Sequence, residues 1–167
     1  MSVTLTPDMR AVIQSAHLCF AATVTPDGMP NLSPKGTIRV WDDRHLFFLD
    51  LASPGTRANL RGRPWMELNV VEQLSRRGYR FFGPATVHTE DATFTEATRR
   101  VLGQEQLPPP AAIVLLAVER AAPLISPGYW RVANERAMRE QWRERRAELD
   151  REFEDYLDGV EPFRVPR

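Results

Sequence analysis

Residues 30–40 alternate cleanly between apolar and polar positions. Leu32, Pro34, Gly36, Ile38 and Val40 take one parity, and Ser33, Lys35, Thr37 and Arg39 take the other. Successive side chains on a strand point to opposite faces, so the pattern predicts one strand, Pro30 to Val40, with an apolar face and a cationic polar face. Thr25-Pro26-Asp27-Gly28 is a strong turn signal and pairs this strand in a hairpin with a short apolar strand, Phe20 to Val24. Trp41-Asp42-Asp43-Arg44 predicts a second tight turn, followed by a third strand, Leu46 to Leu49.

The remaining pattern alternates between helical and strand periods. Thr6 as a cap, Pro7 at the first helical position and a stripe of Met9, Val12 and Ile13 predict a helix over 6–16. Ser53-Pro54-Gly55-Thr56 leads into a short helix, Thr56 to Arg61, stopped by Gly62 and Pro64. A helix start exposes unpaired N–H groups and favours an anion. Trp65 to Val71 is a fourth strand and Gly78 to His88 a fifth, with Phe82 as its inward residue. Thr89-Glu90-Asp91 caps a helix carrying Phe94, Ala97 and Val101. After the stiff linker Pro108-Pro109-Pro110, the apolar run Ala111 to Val118 reads as a strand buried on both faces or lying at a subunit interface. Tyr129 and Trp130 read as core fillers, or as a cap over a ligand pocket. Asn134 caps a final helix reaching about Leu157. Its narrow stripe of Met138, Trp142, Leu149, Phe153 and Leu157 is expected to cover a neighbouring surface, in this subunit or a partner. Glu161 to Arg167 read as a loose tail. About six antiparallel strands with short helices between them predict a mainly β fold: a six-stranded, closed or partly closed barrel with peripheral helices and a long C-terminal helix.

At 167 residues the chain is expected to form one domain, with its core over about 10–125 and the amphipathic helix over about 134–157. Acidic and basic residues balance at 22 each, which gives no general pull towards nucleic acid. Arg57, Arg61 and Arg63 lack the interleaved aromatics of a nucleic-acid platform. The lone cysteine, Cys19, lies in an apolar run and reads as a buried structural thiol. His17, His45 and His88 have no ligand spacing, so no metal site is expected. No apolar run approaches the roughly 20 residues that span a bilayer, and a cytoplasmic location is expected.

Three blocks, FAATVTPDGMPNLSPKG, LFFLDLASPGTRANLRGRP and GYRFFGPATV, resemble the FMN-binding split-barrel family, which includes pyridoxamine 5'-phosphate oxidases and small FMN-binding proteins. The resemblance covers roughly residues 10–125. It implies a six-stranded split barrel forming a homodimer, with FMN at the dimer interface. It places Ser33, Pro34, Lys35 and Gly36 beside the isoalloxazine ring, and Arg39 on the phosphate. It places the backbone of Asp50, Leu51, Ala52 and Ser53 against the flavin, and Thr56 and Arg57 in the phosphate cluster. Thr56 stands where a lysine is frequent. Arg80 would reach the flavin of the same or the other subunit. The Arg-x-His substrate motif near the end of pyridoxamine phosphate oxidases has no counterpart, since no histidine follows His88.

The implied activity is therefore an FMN-dependent oxidoreductase of unassigned substrate, drawing electrons from a small-molecule substrate or a donor such as NAD(P)H. Lys35 would stabilise negative charge at the ring's N1/C2 edge. The alternatives are a non-catalytic flavin carrier, or a deazaflavin- or haem-binding variant of the same fold. No catalytic acid, base or nucleophile stands out.

Overall fold

A computed structural model describes residues 3–102 and 107–160. The chain divides into two compact units, residues 1–72 with 77–125, and residues 73–76 with 126–167. The first holds helices α1 (Pro7–Ala16), α2 (Pro54–Gly62) and α3 (Ala92–Leu102). Its strands are β1 (Cys19–Val24), β2 (Pro30–Lys35), β3 (Arg39–Val40), β4 (His45–Asp50), β5 (Trp65–Glu72), β6 (Arg77–His88), β7 (Ala112–Ala117) and β8 (Arg120–Ile125). All pairings are antiparallel, in the order β2-β1-β5-β6-β7-β4-β3, with β8 beside the first half of β6.

The topology itself requires the sheet to curl. β2 and β3 lie at opposite ends of the strand order, yet only Gly36, Thr37 and Ile38 join them. Three residues span at most about 11 Å, so the two ends of the sheet must meet. Thr37 fastens the seam: its hydroxyl accepts from Leu49 N at 2.9 Å and donates to Leu49 O at 3.2 Å. The result is a split barrel, as the alternation of short strands and helices predicts.

Inside the barrel, Val12 and Ile13 of α1 meet Cys19, Ala21, Leu46, Phe48, Leu68, Val70, Phe81 and Leu116. β4 is buried on both faces. Phe48 and Leu46 point into this core, while Phe47 and Leu49 lie under Ala97 and Val101 of α3. Thr6 caps α1 by accepting from Met9 N at 3.2 Å. At Gly83 an added Cβ would stand 1.9 Å from Ala117 O, so the close approach of β6 to the end of β7 admits only glycine.

Several expectations are corrected. The single strand Pro30 to Val40 is two strands, broken where Gly36–Ile38 crosses the seam, so Lys35 and Arg39 do not share one face. A further edge strand, β8, carries Pro123 and little apolar pattern, which hid it; with the split, the described residues form eight strands. On β6 the inward phenylalanine is Phe81, in register with Leu68. Phe82 faces outward, stacked on Trp65 at 5.3 Å with Arg120 above it at 4.2 Å. The apolar run Ala112–Ala117 lies between β4 and β6, which answers the choice between core and interface in favour of the core.

The second unit holds a 3₁₀ turn, Pro127–Trp130, and helix α4 (Glu135–Asp158), capped by Asn134 Oδ1 accepting from Ala137 N at 3.0 Å. Tyr129 donates to Ser75 O at 2.6 Å, but Trp130 is 89% exposed and is no core filler. Of the predicted helical stripe, Met138 is buried, whereas Leu149, Phe153 and Leu157 stand exposed. The expected tail, Glu161 to Arg167, lies outside the described residues. No described helix is long and apolar enough to cross a membrane.

Candidate functional site

A cavity of about 350 Å³ opens at the seam, lined by Pro34, Lys35, Gly36 and Thr37 from the β2–β3 crossing, Leu49, Leu51, Ala52 and Ser53 from the β4–α2 turn, and Leu107. Lys35 is its central charge. The last residue of β2 turns inward, so its side chain is only 5% exposed, an unusual position for an ammonium. Nζ donates to Ser33 Oγ, to Ser53 Oγ at 2.8 Å and to Pro34 O at 3.2 Å. Burial holds the Lys35 pKa below its ordinary value, while the charge of Asp50 opposes that shift. Cys19, opposite Lys35 on β1, is fully buried and its thiol is pushed up to about 12 by that burial. It is a structural thiol, as its apolar surroundings predict.

Asp50 ends β4 and is completely buried. Oδ1 accepts from Ser53 N at 2.7 Å, which shapes the turn into α2. Oδ2 lies 3.0 Å from Arg57 Nε, an ionic contact whose angles fall outside hydrogen-bond geometry. Arg57 also donates to Ala111 O at 3.4 Å. Ser53 stands at the N-cap of α2, but its hydroxyl makes no cap bond; it accepts from Lys35 instead. The first N–H groups of α2 therefore lack a side-chain acceptor beside a buried ammonium, a combination that favours an anionic or electron-rich ligand.

Of the residues singled out in the sequence, Ser33, Pro34, Lys35, Gly36, Asp50, Leu51, Ala52 and Ser53 come together here, with Thr56 and Arg57 on the first turn of α2. Arg39 lies elsewhere: it lines a separate cavity with Arg10, Ile13, Gln14, His17 and Val40. Arg80 is on the outer face of the sheet, paired with Glu67 at 2.7 Å. Sequence reasoning missed Thr37, Leu49 and Leu107 as lining residues. Thr37 was visible as a polar residue in the alternating run. Leu107 carried no signal in the sequence.

Comparison with known proteins bears on this arrangement. The profile of the pyridoxamine 5'-phosphate oxidase family matches residues 5–124. The chain belongs to this family. Among solved structures, HupZ from Group A Streptococcus is 32% identical, with a TM-score of 0.66 over 72% of this chain and 94% of that one. A putative pyridoxamine 5'-phosphate oxidase from Lactobacillus delbrueckii is 27% identical, with a TM-score of 0.60 over 71% and 93%. A pyridoxamine 5'-phosphate oxidase-related, FMN-binding protein from Nostoc punctiforme shares the fold at 17% identity, with a TM-score of 0.53 over 70% and 78%. No curated protein sequence matches significantly. The family match covers the seam cavity and ends before α4.

The donor set at the seam fits a flavin. A buried ammonium and two hydroxyls can meet the polar edge of a ring, the uncapped start of α2 can meet a phosphate, and Leu49, Leu51 and Leu107 offer apolar wall.

Proposed function

We propose that the protein binds one FMN per chain at the seam cavity and acts as a homodimeric, FMN-dependent oxidoreductase. The observation that carries this reading is the buried Lys35 ammonium, held by Ser33 and Ser53 at the uncapped start of α2. When bound, the flavin supplies reversible two-electron chemistry that the side chains present here lack. Lys35 would supply positive charge to the polar edge of a bound ring, and its hydrogen bonds to two serines fix that charge in position. Asp50 holds the turn that presents Ser53. The phosphate is assigned to the first turn of α2, with Thr56 and Arg57, and Arg39 lies outside this set.

The homodimer is supported by the outer face of the sheet. Phe20, Leu32 and Trp65 are 43%, 64% and 44% exposed. Register places Leu32, Ala22, Glu67, Phe82 and Arg120 in one row, with Pro34, Phe20, Asn69, Arg80 and Ala122 in the next. An exposed apolar patch of this kind marks an interaction surface. Arg80 lies in the same row as Pro34, whose neighbour is Lys35, so a partner docked on this face can bring its Arg80 towards the flavin.

Titration of the apo-protein with FMN and with riboflavin, followed by quenching of flavin fluorescence, tests the cofactor and its orientation. Stoichiometric FMN binding is expected. Arg57→Ala should weaken FMN by about tenfold or more beyond whatever it does to riboflavin, since a charge-assisted hydrogen bond to phosphate contributes about 1.5–3 kcal/mol. Lys35→Met should weaken both ligands together. Binding of a deazaflavin or haem in place of FMN overturns the cofactor assignment, and a monomer by light scattering at micromolar concentration overturns the dimer.

A further inference from the structure

We infer that Lys35 is a reactive amine: at the seam cavity it captures short aldehydes and oxo acids that carry an anionic group, as an imine. The inference shares the cavity with the FMN reading but does not depend on flavin binding.

The first observation is the choice of cation. Of the 22 lysines and arginines in the chain, Lys35 is the only lysine and the other 21 are arginine. Among the described residues it is also the only buried cation. Arginine stays protonated in proteins, whereas an ammonium can give up a proton and leave a nucleophilic amine. The chain therefore keeps its single side-chain amine at the one cationic position shielded from water. Desolvation of this kind is what activates lysines towards carbonyl groups.

The second observation is the set of partners around Nζ. Its acceptors are Ser33 Oγ, Ser53 Oγ at 2.8 Å and Pro34 O at 3.2 Å, and none of them is a carboxylate. Asp50 is engaged instead by Ser53 N at 2.7 Å and by Arg57 Nε at 3.0 Å. A carboxylate in contact would hold the ammonium charged. Hydroxyls serve both states, because each accepts from an ammonium and can turn its own hydrogen towards a free amine. Ser33 Oγ and Ser53 Oγ are 3.4 Å apart, so one can donate while the other accepts. Burial favours the free amine, against the charge of Asp50. The other titratable group facing Lys35 is Cys19, a neutral thiol pushed up to about 12.

The third observation is what lies beside the amine. Lys35 stands in the wall of a cavity of about 350 Å³, and roughly 150 Å³ is enough to hold a benzene ring. Ser53, whose hydroxyl touches Nζ, is also the N-cap residue of α2. Pro54 has no N–H, and Arg57 N donates to Ser53 O at 3.3 Å. The N–H groups of Gly55 and Thr56 are left without an acceptor among the described residues. An added Cβ at Gly55 would meet nothing within 4 Å, so this helix start is open. One short molecule can therefore set its carbonyl carbon at Nζ and its carboxylate or phosphate at α2. In the step, the amine lone pair attacks the carbonyl carbon and a C–N bond forms. Both amine hydrogens pass to the carbonyl oxygen, which leaves as water, and a C=N bond remains. The Ser53 hydroxyl is placed to relay a proton, and no oxidant or reductant is consumed.

Reductive trapping on the full, flavin-free chain tests this. Glyoxylate with sodium cyanoborohydride converts the imine to a carboxymethyl amine, and peptide mass spectrometry assigns the label to Lys35 or to the N-terminus. At mildly alkaline pH, Lys35 in the folded chain should label about tenfold or more faster than in the same chain unfolded in guanidinium chloride, each rate normalised to Nα-acetyllysine in the same solvent. Tenfold is the effect of one charge-assisted hydrogen bond to the carboxylate. Acetaldehyde, which has no carboxylate, should show a smaller advantage. A lysine that is merely buried gives the opposite result, protection in the folded chain. Labelling of Lys35 no faster in the folded chain than in the unfolded one overturns the inference, and an equal advantage for acetaldehyde and glyoxylate overturns the anionic selectivity. Adding FMN first separates this inference from the flavin reading. Slower labelling supports FMN in this cavity, whereas unchanged labelling overturns that placement and leaves the reactive amine standing.

Discussion

Asp50→Ala should destabilise the protein by about 3 kcal/mol. Asp50 has no exposed surface, and its carboxylate accepts from Ser53 N while facing Arg57 Nε at 3.0 Å. The lost hydrogen bond to a charged acceptor is worth about 1.5–3 kcal/mol, and breaking a buried ion pair by removing one partner costs about 3–5 kcal/mol. Arg57 retains 22% exposure, so once unpaired it rehydrates in part, which sets the expectation at the lower end of that range. Asp50→Asn keeps an acceptor for Ser53 N and should cost less. Arg57→Ala should cost about as much as Asp50→Ala, because it leaves a fully buried carboxylate without its arginine. Urea unfolding at fixed protein concentration gives each value from the shift in midpoint at constant m. Thermal midpoints should fall by about 6–12 °C for Asp50→Ala. The double variant should lose less than the sum of the singles, as expected for residues in direct contact. A loss below about 1 kcal/mol for Asp50→Ala with unchanged m would refute the view that this carboxylate holds the β4–α2 turn in place.

Two further outcomes follow from geometry already described. Burial holds the Lys35 pKa below its ordinary 10.5, so the unfolded chain binds the extra proton between the two values. Stability should therefore gain a rising component as pH climbs through that window, and Lys35→Met should abolish it in unfolding curves measured from neutral to alkaline pH. At Gly83 the added Cβ would meet backbone, so Gly83→Ala should cost about 3 kcal/mol or more; at Gly55 nothing lies within 4 Å, and Gly55→Ala should be neutral or slightly stabilising in the same assay.

The local rules that place the elements are visible in the chain. Thr6-Pro7 marks the start of α1, Asn134 the start of α4, and Pro26-Asp27-Gly28 the first hairpin, with Gly28 at φ 90°. Most of the seam cavity was also legible, because Ser33–Gly36 and Asp50–Ser53 carry a recognisable pattern. Other features depend on distant partners. The inward turn of Lys35 follows from the crossing at Gly36–Ile38, which exists only because β2 and β3 sit at opposite ends of the sheet. The choice between Phe81 and Phe82 is a one-residue question of parity, settled by pairing with Leu68. β8 has no alternation of its own and is held by β6. The pairing of Arg57 with Asp50 spans a turn whose shape neither residue declares.

The three-residue link between β2 and β3 also bears on when the cavity comes into being. The hairpins β1–β2, β3–β4 and β5–β6 close short loops, with inner pairs Val24–Pro30, Val40–Leu46 and Glu72–Arg77. Joining them requires distant pairs such as Cys19–Val70 and His45–Ala117, whose loop closure is slower and costlier in entropy. The cavity wall is made of both sides of that last junction, Pro34–Thr37 and Leu49–Ser53. No hairpin alone contains it. A ligand that settles there selects the closed barrel from every partly assembled form, and it stabilises the fold as a whole, by an amount that grows with free ligand above its Kd, rather than any one element.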